Sequence, residues 1–229
     1  MVSLCPVIHS FQVDRSFEQT AEEFLSRVEI TPATEPSPEP TEPTEPEKTQ
    51  PKAYPELWDA MTAYNAAIYA EGQSGLSGPS AYETPSFDLT DYGLGDQIFG
   101  VISIPALDLE MPLYLGATYQ HMAEGAAHLS QTSIPIGGNN TNAVIAGHRG
   151  WRGASYFRYI TELQPGDEVI ITNLWETLTY QVAETQIIWP YEVDQILIQE
   201  NRDLITLLTC HPYASGGKQR YLVICERAG

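Results

Sequence analysis

The sequence predicts a mainly β protein, built as a barrel or a sandwich of short strands. From about residue 98 the chain alternates short segments rich in Val, Ile, Leu, Tyr and Thr with Pro and Gly turn signals, and this alternation is typical of strands joined by tight turns. Such turn signals stand at 137–140 and 165–167. The segments predicted as strands are 98–104, 107–114, 142–147, 167–173, 177–188, 203–210 and 220–226. Short helices are predicted near 118–125 and 154–163.

Ahead of this β-rich region the sequence predicts helices, a spacer and a long loop. Residues 1–30 read as a helical segment, because apolar side chains recur at helical spacing with acidic residues between them. Residues 31–54 are rich in Pro, Glu and Thr, which predicts an extended linker. Residues 55–96 predict a helix followed by a loop long enough to serve as a lid. The β-rich unit then occupies 97–229.

Composition excludes several classes of function. The net charge of −19 argues against nucleic acid and anionic membrane surfaces, which attract clustered Lys and Arg. The chain has three widely spaced cysteines and no CxxC motif, so neither a disulfide framework nor a structural zinc site is expected. We expect no cofactor and no metal. No apolar run approaches the roughly 20 residues of a membrane helix, so we expect any membrane anchor to lie outside this chain.

Cys210 is the first candidate for chemistry. An apolar strand, 204–209, runs directly into this residue, and Pro212 cannot continue the ladder of hydrogen bonds. The thiol therefore lies at a strand end, where a substrate could reach it. The structural alternative is a small buried hydrophobic residue, which is the usual role of a free cysteine.

Arg220 is the second candidate, because strand register places it beside the thiol. If the last two strands pair antiparallel around residue 215, Cys210 faces Arg220 and Cys225 faces about residue 205. The two cysteines are then ~17 Å apart along the ladder, too far for a disulfide, and Cys225 is expected to be a packing residue. A guanidinium beside a thiol can stabilise a thiolate or a developing oxyanion, whereas a surface salt bridge is the default role of an Arg.

His148 is the third candidate. It follows the apolar strand 142–147, so a second strand also ends on a reactive side chain. An imidazole at a strand end can reach a neighbouring strand end and transfer a proton to a leaving amine, as acyl transfer from an amide requires.

The remaining histidines are predicted to be structural. His9 lies outside the β-rich region, His121 falls on a helix expected to be exposed, and His128 is close to small residues. His211 adjoins Cys210, but alternation along a strand turns its side chain to the opposite face.

Together these strand ends resemble the sortases, the cysteine transpeptidases of the Gram-positive cell surface. Residues 206–210 match the family's TLxTC motif, and His148 and Arg220 match its catalytic His and essential Arg. The segment 125–138 looks like the pilin-sortase version of the barrel. The resemblance covers roughly 54–227. It implies an eight-stranded sortase β-barrel with short helices, an N-terminal helical extension and a lid loop.

The subclass resembled is class C, which polymerises pilins. The lid of that class carries an Asp followed closely by an aromatic residue, which pair with the Arg and cover the Cys. Here the corresponding lid residues are Pro79, Ser80, Tyr82 and Glu83: the Asp is absent, and Ser80 stands where the aromatic is expected. Tyr82 and Glu83 could substitute in reversed order. Without the usual pair, we expect residues 76–88 to be mobile and the thiol accessible.

The resemblance implies a reaction. Cys210 attacks the Thr carbonyl of an LPxTG-type sorting signal and forms a thioester, Arg220 holds the oxyanion, and His148 protonates the departing Gly amine. Thr209 is expected to contact the substrate. The implied partners are pilins or surface proteins with C-terminal sorting signals, and the amine acceptor is a pilin Lys or a cell-wall peptide. The implied location is the extracellular face of a Gram-positive cell membrane.

Other functions remain open at this level. They are a housekeeping-type sortase that anchors proteins to the cell wall, and a non-catalytic pilus assembly factor. Two further classes fit less well. In a papain-type peptidase the Cys precedes the His, and an L,D-transpeptidase carries an SHGC-type motif that this chain lacks.

Overall fold

The computed structural model describes residues 5–28, 52–77, 82 and 84–228. Its α-helices in this part of the chain are α1 (Cys5–Arg27), α2 (Pro55–Ala70) and α3 (Tyr119–Glu124). Its strands are β1 (Ile98–Ile104), β2 (Leu109–Leu115), β3 (Ala126–His128), β4 (Thr141–Ala146), β5 (Glu168–Asn173), β6 (Thr177–Ile188), β7 (Asp203–His211) and β8 (Gln219–Arg227).

The strands close into one barrel in the order β1-β2-β3-β4-β7-β8-β6-β5. The pairs β2–β3 and β4–β7 are parallel, and the other pairs are antiparallel. The mainly β prediction is confirmed, and the barrel is the correct one of the two architectures that the strand pattern allowed. The eight strands implied by the family resemblance are confirmed as well.

Two local predictions were wrong. β3 was missed, because its three residues Ala126–His128 carry little strand propensity and too short a pattern. The helix predicted over 154–163 does not form; only a 3₁₀ turn at Ile160–Glu162 is present. Tyr156 adopts a left-handed backbone with φ of 43°, which a helix cannot contain, and Trp151 and Ala154 form an isolated β-bridge.

Side chains alternate across β7 and β8 and so divide between two apolar clusters. The inward-facing side chains belong to the main core and are those of Ile205, Leu207, Val223 and Cys225. The opposite face contributes to a second cluster, here called the outer cluster, which packs outside the barrel. The buried members of the outer cluster are Leu76, Leu129, Val144, Ala146, Ile188, Ile196 and Leu222.

α1 lies against β1 and β2 of the barrel. Phe17, Ala21 and Phe24 are buried at helical spacing, so one face of α1 joins the main core. The helical prediction for the N-terminal segment agrees with α1. The linker predicted at 31–54 lies almost entirely outside the described residues. No helix within the described ranges has the length and apolar character needed to span a membrane.

α2 is fastened to the barrel by a buried side chain. The Asn65 amide donates to the Ile134 carbonyl at 3.1 Å and accepts from the Ile134 N–H at 2.7 Å. Tyr64 adds a hydroxyl that accepts from the Gln131 N–H at 3.0 Å and from Ser86 at 3.1 Å. The loop that leaves α2 therefore starts from a fixed position on the barrel.

Candidate active site

The β7–β8 hairpin places Cys210 directly opposite Arg220. The predicted register is therefore confirmed, and Ile205 pairs with Cys225 as the same register requires. The Cys210 thiol is half-buried, whereas Cys225 is fully buried in the core and burial raises the pKa of the Cys225 thiol to about 12. Only Cys210 of this pair is a reachable thiol.

The parallel pairing of β4 and β7 brings His148 to the same edge of the barrel. The last ladder pair is Ala146 with Leu208, and the Gly147 N–H then donates to the Leu208 carbonyl at 3.1 Å. Two residues further along each strand stand His148 and Cys210. Neighbouring parallel strands lie about 4.8 Å apart. Because His148 and Cys210 each lie two residues beyond the Ala146–Leu208 pair, their backbones are neighbours at this edge.

Thr209 joins the same two strand ends through its side chain. Its hydroxyl donates to the Gly147 carbonyl at 2.8 Å, and the residue is only 1% exposed. The structure therefore gives this hydroxyl a partner inside the protein. Direct contact between Thr209 and a substrate stays a prediction.

Cys210 and Arg220 share the outward face of the barrel with Leu208 and Leu222. Strand alternation places the even-numbered residues of both strands on that face, and Leu222 and Leu208 belong to the outer cluster or pack against it. Tyr82 packs against the same cluster. The thiol and the guanidinium therefore lie beside an apolar surface outside the barrel, with a lid residue close by.

Arg220 is oriented by backbone carbonyls of the hairpin. Its Nη1 donates to the Gly217 carbonyl at 2.7 Å and to the Gln219 carbonyl at 3.1 Å. The guanidinium has five N–H donors, and within the described ranges Nε and Nη2 have no hydrogen-bond partner.

Gly217 is required by both its conformation and its position. Its φ is +76°, and a Cβ there would come within 3.2 Å of Cys210 Sγ and 3.3 Å of Arg220 Nη1. The hairpin backbone thus lies directly against the two side chains of the candidate site. The sequence predicted a turn around residue 215, but not that Gly217 lies close to the thiol.

Two aromatic rings enclose His148. The ring of Trp151 lies 5.1 Å from the imidazole and that of Tyr156 lies 5.5 Å from it, centroid to centroid. Burial lowers the pKa of His148 below its ordinary value, so the neutral imidazole predominates at neutral pH. Neither ring was predicted to lie at the site, although several aromatic residues follow His148 closely in the sequence.

α1 supports this aromatic enclosure from behind. The ring of Phe17 lies 5.0 Å from that of Tyr156 in an edge-to-face arrangement, and the Ser155 N–H donates to Asp14 at 3.3 Å. The Tyr156 hydroxyl donates to the Ala123 carbonyl at 2.7 Å. The loop after His148 is therefore fixed by an N-terminal helix that lies outside the strands of the site.

His121 corrects one expectation. It was expected on an exposed helix, but it is 9% exposed, stacks on Tyr114 at 5.0 Å, and holds its Nδ1 2.9 Å from the Gly116 carbonyl. α3 turns this residue toward β2 because Tyr114 offers an apolar partner there. His128 is fully buried against Thr132, and burial lowers its pKa to about 4.

The loop that should act as the lid is fastened on its near side. The Gln73 amide donates to the Gln131 carbonyl at 3.2 Å and accepts from the Ile198 N–H at 2.6 Å. Leu76 is buried in the outer cluster. These contacts hold residues 73–76 against the outward face on which Cys210 lies.

Tyr82 and Pro85 fasten the far side of the same loop. The Tyr82 carbonyl accepts from the Ala117 N–H at 2.7 Å, and Pro85 packs so closely on Gly116 that a Cβ there would meet it at 2.7 Å. Burial raises the pKa of Tyr82, and the nearby positive charge of Arg220 acts in the opposite direction. The predicted lid residues Pro79, Ser80 and Glu83 lie outside the described residues.

A half-buried thiol, an enclosed neutral imidazole and a guanidinium at adjoining strand ends are the groups of a cysteine acyl-transfer site. Groups of these kinds on a β-barrel are typical of one class of cysteine enzymes. The sortase domain model matches residues 102–228, more than half of the chain, and the chain belongs to the sortase family. Sortases are cysteine transpeptidases.

Curated relatives share the barrel region at modest identity. Sortase D of Bacillus subtilis (strain 168) is 26% identical over 133 residues, which are 57% of this chain and 64% of that protein. Sortase A of Bacillus anthracis is 28% identical over 133 residues, 58% of this chain and 61% of that protein. The matches thus span less than two thirds of these relatives.

Solved structures of class C sortases share the fold over most of this chain. Sortase C1 of GBS pilus island 1 has a TM-score of 0.67 at 28% identity, covering 77% of this chain and 83% of that one. Sortase C from Clostridium perfringens SM101 has the same TM-score at 24% identity, covering 92% and 99%, and shows the shared fold. The resemblance to class C predicted from the sequence is confirmed.

The aromatic enclosure makes a prediction about His148. Replacing Tyr156 with Leu removes one ring and admits water, so the pKa of His148 should rise toward its ordinary value, as followed by NMR titration of the imidazole resonances. Tyr159→Leu is the matched control, since Tyr159 is an exposed tyrosine of the same loop. An unchanged titration in Tyr156→Leu would mean that the ring does not desolvate His148.

Proposed function

We propose that this protein is a class C sortase that cleaves an LPxTG-type sorting signal between Thr and Gly and transfers the acyl group to an amine. Cys210 is the nucleophile, His148 the proton-transfer group and Arg220 the oxyanion-stabilising group. The observation that carries the proposal is the register of three strand ends. The parallel strands β4 and β7 bring His148, just after β4, and Cys210 to the same edge of the barrel, and Arg220 near the start of β8 lies opposite the thiol.

In the first step the Cys210 sulfur attacks the carbonyl carbon of the substrate Thr. The neutral imidazole of His148 accepts the thiol proton as the S–C bond forms, and the carbonyl oxygen gains negative charge. Nε and Nη2 of Arg220 are the donors for that oxygen. The C–N bond then breaks, and the His148 imidazolium returns its proton to the departing Gly amine.

In the second step an amine resolves the thioester. The amine nitrogen attacks the acyl carbon and His148 accepts its proton. The C–S bond then breaks, and the His148 imidazolium returns that proton to the Cys210 sulfur, which regenerates the thiol and the neutral imidazole. An oxyanion forms both when the thioester is made and when the amine attacks it, and we propose that Arg220 stabilises both.

A pilin Lys is the acceptor we propose. The support is the set of structural neighbours, several of whose names associate them with pili. By the same reasoning, we propose that the protein acts at the extracellular face of a Gram-positive cell membrane on pilins bearing C-terminal sorting signals. A cell-wall peptide is the acceptor in the housekeeping alternative, and paired reactions with each amine distinguish the two.

The nucleophile is tested by trapping. Cys210→Ala should form no acyl-enzyme with an LPxTG peptide, because its side chain cannot form a thioester, and mass spectrometry of the intact protein gives the measurement. Cys225→Ala is the matched control and should still be acylated, since Cys225 is buried in the core. Peptide cleavage by Cys210→Ala would contradict the assignment, and an unacylated wild-type protein would favour the assembly-factor alternative.

Arg220→Lys should lower kcat on the order of 100-fold while leaving KM largely unchanged. Lys keeps the charge but loses the fork of donors, and removal of one oxyanion donor costs about 10²–10³ in kcat. Arg202→Lys is the matched control, because Arg202 bonds Glu226 in an ion pair outside the proposed site. Wild-type kcat in Arg220→Lys would remove Arg220 from the oxyanion role.

The lid is tested by alkylation of the thiol. We propose that Tyr82 shields Cys210, because Tyr82 packs against the outer cluster, which lies on the same outward face as the thiol, and Arg220 is within electrostatic reach of the phenol. Tyr82→Ala should therefore raise the rate of Cys210 alkylation by iodoacetamide several-fold, on the order of 5-fold for a barrier of about 1 kcal/mol. Tyr69→Ala, on the exposed face of α2, should leave the rate unchanged. Equal rates in Tyr82→Ala and wild type would show that Tyr82 does not guard the site.

A further inference from the structure

Arg149 and His211 contact each other directly behind the two proposed reactive residues. Arg149 follows His148 in the chain, and His211 follows Cys210. Nη1 of Arg149 lies 2.7 Å from Nδ1 of His211, a short hydrogen bond in which the guanidinium donates. Each member of this pair is therefore one peptide unit from a group that the reaction uses.

Arg149 also reaches the backbone of β7 and its own loop. Nη1 lies 3.4 Å from the Cys210 carbonyl, and Nη2 donates to the Thr161 hydroxyl at 3.3 Å. The guanidinium thus touches the end of β7 and the loop that begins at His148. It is half-buried, so these bonds are partly shielded from water.

The need for such a contact follows from where the ladder stops. The β4–β7 pairing ends at Ala146 and Leu208, and the Gly147 N–H makes the last backbone bond between the two strands. Past this point the described contacts across the gap come from side chains, namely the Thr209 hydroxyl on Gly147 and the Arg149 guanidinium. His148 and Cys210 both lie in this stretch without a ladder.

We propose that Arg149 and His211 are positioning residues that hold the His148 imidazole and the Cys210 thiol at reacting distance. This rests on the function proposed above. The His211 ring lies on the face opposite to the Cys210 side chain, 5.8 Å from the ring of Tyr221. Arg149 acts through its bonds to His211 and to the Cys210 carbonyl. Their effect passes through the backbone, and misplacement of reacting groups by about 1 Å can cost up to 10²-fold in rate.

The contact exists only while His211 is neutral. Its Nδ1 must offer a lone pair to Arg149, which a protonated ring cannot do. Partial burial and then the positive charge of Arg149 lower the pKa of His211. A lowered pKa means that the contact is complete above the ordinary pKa near 6.5 and is lost as pH falls through the lowered value. Among the described residues, the titratable or charged groups that contact His211 are Arg149, from the loop after β4, and Tyr221, from β8.

The experiment uses the full chain, an LPxTG peptide and an amine acceptor, with steady-state kinetics between pH 5 and 8. Arg149→Met keeps the length of the stem and removes the donors. His211→Phe keeps a ring and removes the acceptor, whereas His211→Asn keeps an acceptor that does not titrate. Arg158→Met is the matched control, because Arg158 belongs to the same loop and lies over Tyr213 at 4.6 Å.

Arg149→Met and His211→Phe should each lower kcat on the order of 10-fold with KM unchanged, because alignment and not binding is lost. The double variant should be no slower than either single one, since both remove the same contact. His211→Asn should keep kcat within about 2-fold of wild type and should lose part of the fall in kcat toward acid pH. Arg158→Met should match wild type.

Several results would overturn the proposal. They are an unchanged kcat in Arg149→Met, additive losses in the double variant, a loss in His211→Asn equal to that in His211→Phe, and an acid limb that is the same in all variants. A purely structural role would reduce the folded fraction, measured by urea unfolding, without changing the pH profile. If Arg149→Met does not fold, the His211→Phe and His211→Asn comparison decides alone. Failure of the proposed function itself is distinct, since then wild type forms no Cys210 thioester.

Discussion

Parallel pairing of β4 with β7 is the constraint on which the candidate site depends. Two parallel strands end at the same edge of a sheet, so His148 and Cys210 emerge together although 62 residues separate them in the chain. The antiparallel strand β8 starts at that edge and supplies Arg220. A parallel pair needs a long connection, and β5 and β6 fill it while closing the other side of the barrel.

Residues next to His148 and Cys210 in the chain and in space stabilise this edge of the barrel. Thr209 turns inward and its hydroxyl donates to the Gly147 carbonyl, while alternation along β7 turns Cys210 to the outward face. Trp151 and Tyr156 then surround the imidazole, and α1 supports their loop. The helical extension therefore has a structural role at the site, because Phe17 is in contact with a ring that touches His148.

The parts of the structure that were predictable are those set by local pattern. The position of the last turn fixed the β7–β8 register, and hence the pairing of Cys210 with Arg220 and the separation of Cys225, because a hairpin leaves no freedom between its strands. The other strands were predicted because each is long enough to show a run of strand-forming residues, whereas β3 has only three residues. The helix expected near 154–163 failed because the left-handed residue Tyr156 gives no signal in composition.

The rest depends on contacts between distant segments. Neither the parallel β4–β7 pair nor the Arg149–His211 bond follows from any spacing in the chain, because each joins residues 62 positions apart. The lid illustrates the same limit: the sequence showed that its usual Asp is absent, but not that Gln73 and Pro85 fasten the loop on both sides.

Gly217 has a consequence for how this barrel can diversify or be redesigned. Hairpin loops beside a reactive group are natural places to alter substrate preference by exchanging segments. Here one position of the loop must combine a left-handed backbone with the absence of a side chain, because Cys210 Sγ and Arg220 Nη1 occupy the space a Cβ would need. A side chain at position 217 would strain the backbone and push against Cys210 Sγ and Arg220 Nη1. A segment exchanged into this hairpin must therefore keep a glycine at position 217.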